Sequence, residues 1–346
     1  VVPRAASACH ADGVTIIVPD HVSDISTGTL PGRTRVTDAM AEAHRLFAGV
    51  DDGNVADYIP ALATADPALF GLSVVATNGD SHDVGDTGHP FSIQSISKAF
   101  VFALVAQELG HEQVLRRIGV DSTGLPFDSV MALELNGGAP MNPLVNAGAL
   151  LTTSLVPGVT AEAKWDRIVD GLSAFAGRRL VVDDEVYASE AANNERNGAM
   201  ALLLRSYGVL KHDARETTDI YTRQCSLLVT AHDLAVMAAT LADGGVNPFT
   251  HERVVDATVC RDVLAALAAA GLYERSGLWL ATIGLPGKSG VSGGIITVAP
   301  GKGGLATFSP RLDAAGNSVR GQLATKHLSN ALGMNIFASA PHPDHD

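Results

Sequence analysis

Basic residues are in short supply in this 346-residue chain: 24 lysines and arginines face 37 acidic side chains, for a formal charge of −13. Nucleic acids and anionic membranes attract Lys and Arg, so this balance argues against both as partners. Cysteine is scarcer still. Cys9, Cys225 and Cys260 are odd in number and widely spaced, which fits neither a disulfide framework nor a zinc site and points to a reduced, cytoplasmic setting. Long apolar runs are missing too. The most apolar helical stretch, Ala99 to Leu109, is too short for a bilayer and carries Gln107 and Glu108. The opening residues Val1 to Gly13 include Arg4, His10 and Asp12 in place of the apolar centre of a secretory signal. A soluble protein is the expectation. None of the 12 histidines forms an H-x-x-x-H pair, and the close pair His342 and His345 falls in a loose tail. No metal ligand and no cofactor are therefore assigned. Aromatic residues make up only 5%, but hydrophobic residues as a whole reach 46%, enough for a large aliphatic core.

The order of patterns along the chain sets the fold class. Residues 1–33 are rich in Pro, Gly, Ser and Thr and read as an irregular lead-in. A helix is predicted from Arg35 to Ala48, and a strand from Phe70 to Thr77. The strand turns at Asn78-Gly79-Asp80 and returns toward Phe91. A helix follows from Ser95 to Gly110. Helical periodicity then dominates to about 265, and short β-rich runs (Trp279–Ile283, Ile295–Val298, Leu305–Phe308) precede a last helix, Ser318 to Leu332. This order predicts an α+β protein: an antiparallel sheet flanked by helices, built from 34–110 and 266–336, with a mainly helical domain, 111–265, inserted between its halves. Residues 337–346 read as a tail. The cleft between sheet and helical domain is the expected site.

Lysine occurs only six times, which makes each one informative. Lys98 closes Ser95-Ile96-Ser97-Lys98 at a predicted helix start. A three-residue spacing puts both side chains on one helix face, where a lysine whose pKa is lowered by burial can take the serine proton. The free N–H groups of a helix N-terminus also favour charge developing on a carbonyl oxygen. Alone the motif is weak, since Ser95 could equally be an N-cap and Lys98 a solvated residue. Lys288 opens Lys288-Ser289-Gly290 far downstream. A serine–x–x–lysine followed by a lysine–serine–glycine strand is the pairing found in penicillin-recognising serine enzymes, although their serine–aspartate–asparagine tripeptide is absent.

Longer strings narrow the choice. Val55–Pro60, Phe91–Lys98, Asn142–Ala149, Val186–Glu190 with Arg196-Asn197, Tyr221–Ser226 and Leu285–Val291 resemble the serine-dependent glutaminase family, in family order, across most of residues 35–335. The resemblance implies a β-lactamase-like fold and hydrolysis of L-glutamine to glutamate and ammonia through an acyl-serine. It implies Ser95 as nucleophile, Lys98 as its base, Tyr273 as the group that orients or relays the proton, and the Val291 N–H as an oxyanion donor. It implies substrate contacts from Tyr58, Gln94, Asn146, Glu190, Asn197 and Tyr221, with Glu190 facing the α-ammonium, and a homodimer or homotetramer. Glu274 is a departure, because the family usually carries Asp there. Two other readings stay open at this stage: a β-lactamase, D,D-peptidase or esterase on the same scaffold, and a catalytically silent ligand-binding relative.

Overall fold

Leu72 and Val74 face one hydrophobic cluster while Val75 faces another, and the same split separates Ile295 from Ile296 and Leu305 from Ala306. Alternate residues of a strand point to opposite faces, so these strands form a middle layer covered on both sides. The computed structural model describes residues 28–339, together with the backbone of the strands Ala8–Ala11 and Val14–Ile17. Its main sheet has five strands, all antiparallel, in the order Ser81–Gly85, Gly71–Ala76, Gly303–Phe308, Gly294–Ala299, Gly287–Ser289. The helices Arg33–Phe47 and Val319–Ala331 cover one face through Val36, Met40, Ala324 and Leu328. The helix Ala231–Ala242 covers the other. It starts in a reciprocal cap between Thr230 and Asp233. It also lies so close that a Cβ on Gly304 would come within 2.4 Å of the Ala235 carbonyl oxygen.

The expected α+β architecture is present, with the helices from Asn146–Leu155 to Ala214–Cys225 lying in sequence between the two halves of the sheet. The helix Ala231–Ala242, expected within the helical insertion, instead packs directly on the sheet. The Asn78-Gly79 turn is found as expected, with Gly79 at φ +88. Other elements differ. The lead-in, expected to be irregular, contains the paired strands Ala8–Ala11 and Val14–Ile17. The return strand stops at Gly85, and Phe91–Ser92 pairs separately with Leu228–Val229. Trp279–Ile283 is not a strand: Ser276–Thr282 is helical. Trp279 and Ile283, four residues apart, enter one cluster while Leu278 is 56% exposed, a helical period that a five-residue apolar run does not reveal. His342 and His345 lie outside the described residues.

Candidate active site

Ser95 sits in a single 3-10 turn, Gln94–Ile96, and the α-helix begins only at Ser97. The helix has Ile96 at its cap position with no side-chain cap, so Ser95 is not capping it. The turn is strained. Gln94 adopts φ +51, a left-handed conformation that costs a non-glycine residue about 1–3 kcal/mol. Surrounding bonds hold it there: Ser97 Oγ donates to the Gln94 carbonyl at 2.8 Å, and Gln94 Nε2 donates to Ser92 Oγ at 3.1 Å and Glu190 Oε1 at 2.5 Å.

Lys98, the second residue of the helix, is buried, and among the described residues its amine meets no carboxylate. Nζ donates to the Leu144 carbonyl at 3.1 Å and to Asn146 Oδ1 at 2.7 Å. It stands 5.8 Å from the Phe127 ring centre and 5.9 Å from that of Tyr221. Burial pulls its pKa down to about 8, against a smaller upward pull from Cys225 and Asp128. Asn146 opens the helix Asn146–Leu155, and its Nδ2 donates to Asn197 Oδ1 at 3.0 Å.

Tyr273 approaches from the sheet side. It too is left-handed, at φ +56, and Ser276 Oγ donates to its carbonyl at 2.8 Å. Its hydroxyl donates to the Ser289 carbonyl at 3.4 Å and lies near Ser95. Burial pushes its pKa up to about 12, against a smaller downward pull from Ser289 and Ser95, so it remains a phenol. Lys288 lies over its ring, 4.3 Å from the centre.

The segment after Ser289 is pressed against the Ser95 turn. A Cβ on Gly290 would meet the Ile93 carbonyl at 3.0 Å and Gln94 Cβ at 3.3 Å, so only glycine fits comfortably. Ser292 Oγ donates to the Ser92 carbonyl at 2.7 Å. Between them stands Val291. Among the described residues, neither its backbone N–H nor that of Ser95 has a protein acceptor.

The remaining expected contacts gather around this centre. Glu190 stands in the last turn of the helix Asp184–Ala191, and burial raises its carboxyl to about 7, with Gln94 pulling the other way. Tyr221 is buried, and that burial, then Cys225, Glu190 and Tyr273, raise its hydroxyl well above the ordinary value. Tyr58 is 62% exposed, and partial desolvation, then Tyr273, Glu190 and Asp128 nearby, hold its pKa above the ordinary value. Glu274 is exposed, so its difference from the family pattern falls on the surface. Sequence reasoning missed Phe127 and Asp128. Phe127 packs at 4.7 Å on Tyr273, and the Asp128 carboxylate pairs with Arg196 at 2.9 Å. No spacing signal joins them to residues so far away in the chain.

A serine hydroxyl, a buried amine and a phenol, with two N–H groups that have no protein acceptor among the described residues, make an arrangement suited to acyl transfer. The glutaminase family model matches residues 53–337. The chain is 53% identical over 320 residues to glutaminase 2 of Yersinia pestis, covering 92% of this chain and 94% of that one. The solved structure of a probable glutaminase, ybaS, superposes with a TM-score of 0.88 at 46% identity, covering 89% of this chain and 100% of that one. That of Mglu in its glutamate form does so with 0.84 at 40% identity, covering 90% and 72%.

Proposed function

The chain belongs to the glutaminase family, and from that premise we propose that it hydrolyses L-glutamine to L-glutamate and ammonia through an acyl intermediate on Ser95. The observation that carries the serine mechanism is the bonding of Lys98. A neutral amine has two N–H groups and one lone pair. Leu144 O and Asn146 Oδ1 take both N–H groups, which leaves the lone pair free to accept a proton, assigned here as that of Ser95, three residues earlier in the chain. A pKa of about 8 leaves roughly a tenth of the amine neutral at pH 7, far more than an ordinary lysine would supply.

In this reading Ser95 Oγ attacks the side-chain carbonyl carbon of glutamine as its proton passes to Lys98. The oxygen, now negative, is held by the N–H groups of Ser95 and Val291. When the carbon–nitrogen bond breaks, the nitrogen leaves as ammonia, taking the Tyr273 hydroxyl proton, which Lys98 replaces. Water then attacks the ester with the same groups acting in reverse, giving glutamate and free Ser95. Glu190 pairs with the α-ammonium. Asn197, Tyr221, Gln94 and Tyr58 complete the pocket for the amino-acid end, and Asn146 holds Lys98 while sharing Asn197.

The buried, unbonded Cys225 and Cys260 support a reduced, cytoplasmic setting. Met131, Leu135 and Leu202, exposed on helices joined by the Tyr207–Glu134 hydrogen bond, support a homo-oligomer. The test of function compares ammonia release from glutamine with hydrolysis of the β-lactam nitrocefin. Release of ammonia with nitrocefin left intact is the expected result. Nitrocefin hydrolysis alone would favour the β-lactamase reading, and inactivity on both a silent binding protein.

A further inference from the structure

Behind Tyr273 and Val291 lies a short turn, Asp313 to Asn317. Its shape is fixed from within. Asp313 Oδ1 accepts the backbone N–H groups of Ala315 at 2.9 Å and Asn317 at 3.0 Å, and the Asp313 N–H donates to the Asn317 carbonyl at 2.8 Å. The turn reaches the site at two points. A Cβ on Gly316 would lie 3.7 Å from both the Tyr273 ring and the Val291 side chain. Asn317 is fully buried, and its Oδ1 accepts from Ser289 Oγ at 2.6 Å. Ser289 in turn supplies the carbonyl that accepts from Tyr273 Oη at 3.4 Å and from Lys288 Nζ at 2.7 Å.

Asn317 Nδ2 has no hydrogen-bond partner among the described residues. A buried amide with an unpaired donor costs stability. The contribution of this side chain is therefore concentrated in its one short bond to Ser289. That bond fixes the residue from which the chain leaves its strand toward Gly290 and Val291. The Ser289–Gly290 peptide is also held by Lys288 Nζ on its carbonyl at 2.7 Å and by the Gly290 N–H, which donates to the Gly294 carbonyl at 2.9 Å, so loss of the Asn317 bond would shift the Ser289 carbonyl and the Val291 N–H rather than release them.

We propose that Asn317 is a positioning residue for the hydrolysis, acting through the Ser289 hydroxyl to set both the Tyr273 hydroxyl and the Val291 N–H. The proposal rests on the roles given to Tyr273 and Val291 above. Displacements of about 1 Å in such groups cost on the order of a hundredfold in rate.

The experiment is a double-mutant cycle on the full chain with Asn317→Ala, Ser289→Ala and the pair. Turnover is expressed per active site, counted by covalent labelling with a diazo-ketone glutamine analogue. Each single change is expected to lower kcat by about 10–100-fold with KM within about threefold, and the pair to lose no more than the worse single change. Ser289→Thr, which keeps the hydroxyl, should retain most of kcat. Additive losses overturn the proposal, as does a loss that vanishes once inactive protein is discounted. If Asn317→Ala does not fold, the two Ser289 variants decide: wild-type kcat in Ser289→Ala, or equal impairment of both, overturns it. Tyr273→Phe is the control on the underlying reading. Full activity there refutes the role of Tyr273 itself, whatever the cycle shows.

Discussion

Asn146 Oδ1 lies 2.7 Å from Lys98 Nζ, and the other end of the same amide donates to Asn197 at 3.0 Å. One side chain thus spans the base and the pocket for the amino-acid end of the substrate. Its orientation follows from the bonding, because the lysine amine donates both of its N–H groups here and only the amide oxygen can accept one. Asn146→Asp would put a carboxylate against Lys98 and raise the lysine pKa. The rise of kcat with pH should move upward by about one unit or more, and turnover at pH 7 should fall at least tenfold. An unshifted profile would separate Asn146 from the base.

The second prediction concerns pH in the wild type. Lys98 acts as the neutral amine and Glu190 as the carboxylate, and both forms prevail above the respective pKa values of about 8 and about 7. Accordingly kcat/KM should climb from about pH 6 to 9, reporting both groups of the free enzyme. Bound substrate brings its own ammonium to Glu190, so kcat should report the lysine alone. A kcat/KM that falls across this range would exclude a neutral-amine base.

The role of Glu190 is tested by Glu190→Gln. Removing the acid leaves a desolvated ammonium unpaired, and kcat/KM for glutamine should fall by about 2–5 kcal/mol in equivalent terms. An N-acylated glutamine has no such cation and should lose much less by the same change. Equal losses on both substrates would remove the ammonium contact.

The same substitution carries a stability prediction of opposite sign. The folded carboxyl has its pKa raised from 4.5 to about 7. Across that interval the folded state holds a proton that the unfolded state releases, so stability falls as pH rises. Gln abolishes this loss. Glu190→Gln without ligand should therefore melt a few degrees higher than wild type at pH 8, a gain of about 1–3 kcal/mol, and equally at pH 4. Destabilisation at pH 8 would mean that a buried partner of the carboxylate has been overlooked.

Much of this site was legible in the sequence because its chemistry is written in short strings. Ser95 and Lys98 are three residues apart, and Lys288 to Val291 is contiguous. Less legible was the backbone. The spacing predicted a helix from Ser95, but the pressure of Gly290 on the Ser95 turn and the bonds on Gln94 keep that turn 3-10 and strained. Nor did the string around Asn146 disclose that its amide faces Lys98, 48 positions earlier. Phe127, Asp128 and the Asp313–Asn317 turn reach the site by tertiary packing alone, with no residue type or period to mark them. The apolar run Trp279–Ile283 is too short to show a period, so it reads as a strand although Ser276–Thr282 is helical.

The most direct test is the fate of Ser95 during turnover. Wild-type protein mixed with glutamine and quenched in acid should carry one γ-glutamyl group, found by mass spectrometry on the peptide containing Ser95. Ser95→Ala should fold, carry no such group and release ammonia at less than about 1% of the wild-type rate. Ammonia release by Ser95→Ala above a few per cent of wild type, or a γ-glutamyl group on any other residue, would contradict the acyl-serine mechanism.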